Sequence, residues 1–176
     1  YEKLQMYQLA QDMKNDWNIF FDCDAIVHPD LFDITEHFSK DTVYHNGNDM
    51  AGVRWVYDRF FRRDGRHIGS CTWAMAASDQ CIELFEPLSD LTLKQAAANI
   101  FPVVPEVKAG YAPERLIEDY VCSRNIAKYG LKFDTYDKVF KRAGFDNPGF
   151  LWHQYAMAEE EKLLKMNQIL QHWSLL

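Results

Sequence analysis

The sequence predicts a single α/β domain over residues 1–176, because short apolar runs of strand character alternate with stretches of helical period. Two further observations support that class. Apolar residues make up 48% of the chain and charged residues 26%, enough to fill one core without the polarity of a disordered segment. No internal repeat, low-complexity tract or Pro/Gly-rich linker divides the chain, and no apolar run is long enough to span a bilayer.

The elements follow in order. Residues 1–15 place Leu4, Tyr7, Ala10 and Met13 on one helical stripe, and Trp17 to Phe21 then form an apolar strand. Pro29 opens a helix running to about Phe38, since proline suits a first turn. Thr42-Val43-Tyr44 is a short strand, and residues 45–49 have turn chemistry. Val53, Val56, Tyr57, Phe60 and Phe61 mark an amphipathic helix closed by Asp64-Gly65, and residues 68–76 read as a strand. Ser78 caps a helix through Phe85, and Thr92 caps another through Ile100. Pro113 begins a long helix that Gly130 ends, with residues 131–136 as the next strand. The final helix, residues 155–173, turns Leu163, Met166, Ile169, Leu170 and Trp173 inward.

Charge excludes one class of partner. A formal net charge of −7 argues against a nucleic-acid polymer, which needs a basic face to neutralise phosphates. The cluster Arg59, Arg62, Arg63 and Arg66 reads first as a solvated helix end, with a diphosphate clamp as the alternative. Cys23, Cys71, Cys81 and Cys122 show no CxxC or zinc spacing and read as reduced core thiols. A reducing, cytoplasmic setting is the expectation, and a start on Tyr1 within a helical pattern suggests a trimmed domain.

The chemistry concentrates in a few places. Asp22 and Asp24 end an aromatic strand and enter a loop, where α/β sheets present side chains to ligands. Two carboxylates so close repel one another unless a cation holds them, and hard oxygen ligands suit Mg²⁺ or Mn²⁺. The plain alternative is a solvated turn, which would not require the strand Trp17–Phe21 before it. Glu118-Asp119 lies beyond the first turn after Pro113, so attraction to the helix dipole accounts for it poorly. His153 follows the turn Asn147-Pro148-Gly149 and is either a ligand or a surface or capping histidine. Trp73 and Trp152 carry rings suited to stacking on a sugar or to core packing.

Taken in series, these segments carry a resemblance. Phe20-Phe21-Asp22-Cys23-Asp24-Ala25-Ile26-Val27, followed by His28-Pro29-Asp30-Leu31, resembles the centre of GT-A glycosyltransferases. Gly69-Ser70-Cys71-Thr72-Trp73-Ala74-Met75-Ala76 is similar to the small-residue strand lining that family's sugar pocket, and Leu116 to Val121 to its acidic helix start. The resemblance covers roughly residues 1–153 and implies a GT-A-like mixed sheet flanked by helices. The family's first nucleotide-binding strands would precede residue 1.

The implied site is a DxD pair, Asp22 and Asp24, clamping Mn²⁺ or Mg²⁺ onto the diphosphate of a nucleotide-sugar donor. His153 would be a third ligand, and Gly69, Ser70 and Trp73 would line the donor site. Asp119 would be the general base toward an acceptor hydroxyl, whether of a glycan, small molecule or protein, with Glu118 on the neighbouring face. The resemblance thus implies inverting transfer. Cys122-Ser123-Arg124-Asn125 stands where processive synthases carry Q-x-x-R-W, which makes a polymerase unexpected. Two rivals remain: a haloacid-dehalogenase-like phosphatase, which also ends a strand in D-x-D, and a non-catalytic sugar- or partner-binding domain.

Overall fold

The computed structural model describes residues 2–31, 33–46, 73–100, 117–144, 151–153 and 158–174. Within these lie strands β1 (Trp17–Phe21), β2 (Ala25–Val27), β3 (Thr42–His45), β4 (Ala74–Ser78), β5 (Lys132–Thr135) and β6 (Leu151–His153). The helices are α1 (Glu2–Met13), α2 (Leu93–Ile100), α3 (Ile117–Tyr129), α4 (Tyr136–Arg142) and α5 (Glu159–His172). This is the α/β class that the sequence predicts.

The main sheet is mixed, in the order β1-β4-β3-β5. β4 runs antiparallel to both β1 and β3, and β3 runs parallel to β5. The carboxyl ends of β1, β3 and β5 therefore share one edge with the start of β4. A small two-stranded sheet pairs β2 antiparallel with β6.

Alternation along the strands sorts the core into two layers. Met75, Ala77, Val43 and Phe20 face one layer with Leu4, Phe85, Tyr120 and Ile126 from α1, α3 and the turn Ile82–Phe85. Ala74, Ala76, Tyr44 and Ile19 face the other with Tyr136, Val139 and Phe140 of α4. Ala76 sits in register between Ile19 and Tyr44, so a small side chain separates two large ones across the sheet.

Local chemistry sets the ends of the helices. Thr92 and Gln95 form a reciprocal capping box at α2: Thr92 N–H donates to Gln95 Oε1 and Gln95 N–H to Thr92 Oγ1. Gly130, at φ 63°, terminates α3, and Leu131 N–H donates back to Ile126 O across 3.0 Å. α1 stops at Met13, Lys14 adopts φ 54°, and Met13, expected on the buried stripe, is exposed.

Several predicted elements need correction. The helix expected from Pro29 to Phe38 is a turn followed by a single 3-10 turn, Ile34–His37. Asp33 starts that turn afresh by accepting both Thr35 N–H and Thr35 Oγ1–H, and Phe38 leaves it to stack on Tyr44 with ring centroids 4.0 Å apart. Ser78 ends β4 instead of capping a helix. Its hydroxyl donates to Lys40 O and accepts from Gln80 N–H, and only Ile82–Phe85 then coils, as a 3-10 turn. α4 is an added element, held by Tyr136, Val139 and Phe140. α5 buries none of its residues, and Leu163 is exposed, because the helix lies on the outside of the domain. Cys23 is exposed in the turn between its two aspartates, whereas Cys81 and Cys122 are buried, and all three are free thiols. Cys71, the expected helix at residues 53–61, the start of the strand at residue 68 and that of the helix at Pro113 lie outside the described residues. No helix among the described residues is long and apolar enough to cross a membrane.

His45, buried at the end of β3, gives one consequence for stability. Its Nδ1 lies 2.6 Å from Asn46 O, so that nitrogen carries the proton and donates. Burial pushes the imidazole pKa below its ordinary value, outweighing the Asn46 carbonyl and Asp134, which favour the charged ring. The unfolded chain then binds a proton that the folded one refuses, so this contribution is complete at neutral pH. It is lost as pH falls below about 6.5 toward the depressed folded value. Urea midpoints measured from pH 7.5 to 5 should fall across that window, and His45→Gln should flatten the fall. An equal slope in both proteins would contradict it.

Candidate functional site

α1 enters β1 through a short turn and runs back along it, so the first turn of α1 lies at the carboxyl end of β1. α3 meets the same place. Lys3 N–H donates to Glu118 Oε1 across 3.0 Å, and Lys3 Nζ lies 3.5 Å from Asp119 Oδ1. The same ammonium stands 3.8 Å from Asp22 Oδ1 and 3.9 Å from Glu118 Oε2. One buried lysine thus gathers the first aspartate of the DxD pair and both members of the acidic pair. Lys3 and Asp119 are 116 positions apart in sequence.

Burial alone would push the Lys3 ammonium down, but the Asp119 and Asp22 carboxylates outweigh it and raise its pKa. Lys3 therefore carries its charge at neutral pH. Its Nζ also lies 5.6 Å from the centre of the Phe20 ring. The two halves of the acidic pair differ in access: the Asp119 side chain is 3% exposed and that of Glu118 is 21% exposed.

The turn bearing Asp22 and Asp24 is fixed by backbone contacts. Asp22 N–H donates to Trp73 O across 2.8 Å, which extends the β1–β4 ladder by one residue, and Ala25 N–H closes the turn onto Asp22 O. Asn46 secures the strand beside it, its Oδ1 accepting from Trp73 N–H and Ala74 N–H at 2.9 and 3.0 Å. The Trp73 ring lies against Phe21, with centroids 6.5 Å apart. Asp24 is ion-paired with Lys162 of α5. The β2–β6 register sets His153 directly across from Ala25, next to Asp24 in the chain.

Six of the residues singled out from the sequence therefore occupy one edge of the sheet: Asp22, Asp24, Trp73, Glu118, Asp119 and, by backbone register, His153. Gly69 and Ser70, like the arginines between positions 59 and 66, lie outside the described residues. Lys3, Asn46 and Lys162 are additions that sequence reading missed. Lys3 had a signal, since it precedes Tyr7 and Ala10 at the i, i+4, i+7 spacing of a buried stripe.

The donor chemistry bears on a metal. Among the described residues, no three His, Cys, Asp or Glu side chains gather closely enough to hold an ion by themselves. Asp22 and Asp24, on one turn, supply two hard carboxylates. That partial shell fits Mg²⁺ or Mn²⁺, because Mg²⁺ commonly takes one or two carboxylates and completes its octahedron with water and phosphate oxygens. A pocket of about 240 Å³ at the opposite edge, lined by Gln11, Asn18 and Asp79 among others, has no such convergence of carboxylates. Comparison with family models, curated proteins and solved structures finds no match to the chain.

Proposed function

We propose that the chain acts as a GT-A-type glycosyltransferase domain, transferring one sugar from a nucleoside-diphosphate donor to an acceptor hydroxyl. The observation that carries this reading is the meeting at Lys3 of Asp22 with Glu118 and Asp119. The motifs that resemble the family's metal clamp and its general base thus share one edge, at the carboxyl ends of the strands, where α/β sheets bind ligands.

In this reading Asp22 and Asp24 hold Mn²⁺ or Mg²⁺, and His153, in register beside them, contributes a third ligand. The bound cation would supply neutralisation of the leaving diphosphate. Trp73, with Gly69 and Ser70, lines the donor sugar. Asp119 accepts the acceptor hydroxyl's proton while that oxygen attacks the anomeric carbon and the bond to the diphosphate breaks, inverting the centre. Lys3, its ammonium 3.5 Å from Asp119 Oδ1, holds that carboxylate in place. Glu118, the more exposed of the pair, borders the acceptor side.

Calorimetry tests the metal site directly. Asp24→Asn should abolish Mn²⁺-dependent binding of a nucleoside diphosphate while leaving the thermal transition cooperative, and Asp22→Asn should weaken it. Unchanged affinity in Asp24→Asn would remove the reading. Metal-dependent hydrolysis of a nucleotide-sugar in water separates an enzyme from a non-catalytic binding domain. The rival haloacid-dehalogenase-like phosphatase, which also ends a strand in D-x-D, would need a lysine later in the chain than Asp22 and before an acidic pair; Lys3 precedes Asp22 and does not supply it. Turnover of p-nitrophenyl phosphate that is lost in Asp22→Asn would favour that chemistry instead.

A further inference from the structure

We infer that Lys162 is a built-in competitor for the metal at Asp24, which weakens binding of the divalent cation until a diphosphate offers the displaced ammonium another partner. This rests on the metal-dependent reading of Asp22 and Asp24. Lys162 pairs with Asp24 across 138 positions of sequence, and both side chains are 26% exposed. The pairing is more than one long side chain reaching inward from solvent. At the other end of α5, Trp173 sets its ring edge-on against His28, with centroids 4.8 Å apart. Lys162 to Trp173 spans about 16 Å of helix. Asp24 to His28 spans about 13 Å of extended chain. α5 therefore lies along β2, touching it at both ends, and its placement delivers Lys162 to the second aspartate of the DxD pair.

Two cations cannot share the Asp24 carboxylate cheaply. An ammonium there satisfies oxygens that a divalent cation would need, and once such a cation arrives the two positive charges repel at close range. Lys162 must then leave Asp24, and α5, which buries none of its residues, offers little packing to resist the shift. A diphosphate supplies the displaced ammonium with a new anionic partner within reach of the same turn. Diphosphate thereby raises the apparent affinity for the cation, and by linkage the cation raises that for diphosphate by the same factor. Lys162 makes each ligand alone bind weakly and the pair bind well.

The test is Mn²⁺ titration of the whole chain by calorimetry, first alone and then with saturating uridine or guanosine diphosphate. Lys162→Met should bind Mn²⁺ alone about three- to tenfold more tightly than wild type, and diphosphate should enhance its binding by correspondingly less than in wild type. Lys162→Arg keeps the charge and should behave as wild type. So should Lys165→Met, which removes a charge from an exposed position on the same helix. Lys162→Met binding Mn²⁺ no more tightly than wild type would overturn the inference, as would an equal gain in Lys165→Met, which would reduce the effect to net charge. Failure of wild type and Lys162→Met alike to bind Mn²⁺, with or without diphosphate, would instead remove the metal reading and the inference with it.

Discussion

Lys3→Met should destabilise the protein by about 3–5 kcal/mol, the usual cost of removing one partner from a buried ion pair. The methionine keeps the length and apolar stem of lysine, so the packing of α1 against the core survives and the loss isolates the charge. Among the described residues Lys3 is the cation shared by three carboxylates, and Asp119, at 3% side-chain exposure, has the least water to fall back on. Asp22 and Glu118 reach solvent more, at 33% and 21%, which favours the lower end of the range. For a chain of this size, each kcal/mol moves the thermal midpoint by about 2–4 °C, so a fall of roughly 6–12 °C is expected at that lower end. The partner of the effect is identifiable. Lys3→Met combined with Asp119→Asn should recover part of the loss, because a neutral amide beside a thioether leaves no buried charge. Additive losses in the double variant would show that Lys3 does not act through Asp119.

The predicted elements that held were those with a local physical cause. Trp17–Phe21 and Thr42–Tyr44 are strands because their aromatic and β-branched residues alternate between two buried faces, and Gly130 ends α3 because a positive φ is needed there. Those that failed depended on contacts that sequence spacing does not report. Ser78 has the identity of a helix cap, yet Lys40 O, 38 positions away, takes its hydroxyl. The stripe on α5 has the period of a core helix, but the sheet faces are already filled from α1, α3 and α4, so the helix is left outside. The site divides the same way. Asp22 and Asp24 were legible because an acidic pair at the end of an apolar strand needs a reason. Glu118 and Asp119 fall in the first turn of α3 as described, where the helix dipole already favours carboxylates, so their meeting with Lys3 is what marks them. Of the lysines that hold these carboxylates, Lys162 gave no signal, because a lysine in a helix is ordinarily solvated, and Lys3 gave only its place on the buried stripe of α1. Only the fold brings Lys3 to Asp119 and Lys162 to Asp24.

Asp119→Asn bears on the mechanism most directly, with an expected fall in transfer of about 10²–10⁴-fold, the usual contribution of a positioned general base. The amide preserves size, and its oxygen can still accept from Lys3 Nζ, which lies 3.5 Å from Asp119 Oδ1. Lys3 also retains Asp22 and Glu118 as neighbours, so the fold and the binding of Mn²⁺ with a nucleoside diphosphate should persist. The loss should therefore fall on kcat, with the donor's dissociation constant close to wild type. Glu118→Gln should cost much less, because its described contact with the Lys3 backbone N–H uses one oxygen that the amide can supply. Burial sharpens the comparison: if the acceptor hydroxyl cannot reach a carboxyl as enclosed as Asp119, the more exposed Glu118 would take the proton and the two variants would exchange their effects. Near-normal transfer by Asp119→Asn, or a product that keeps the donor's anomeric configuration, would end the assignment of Asp119 as the base of an inverting reaction. The metal-site reading would survive, since it stands on Asp22 and Asp24.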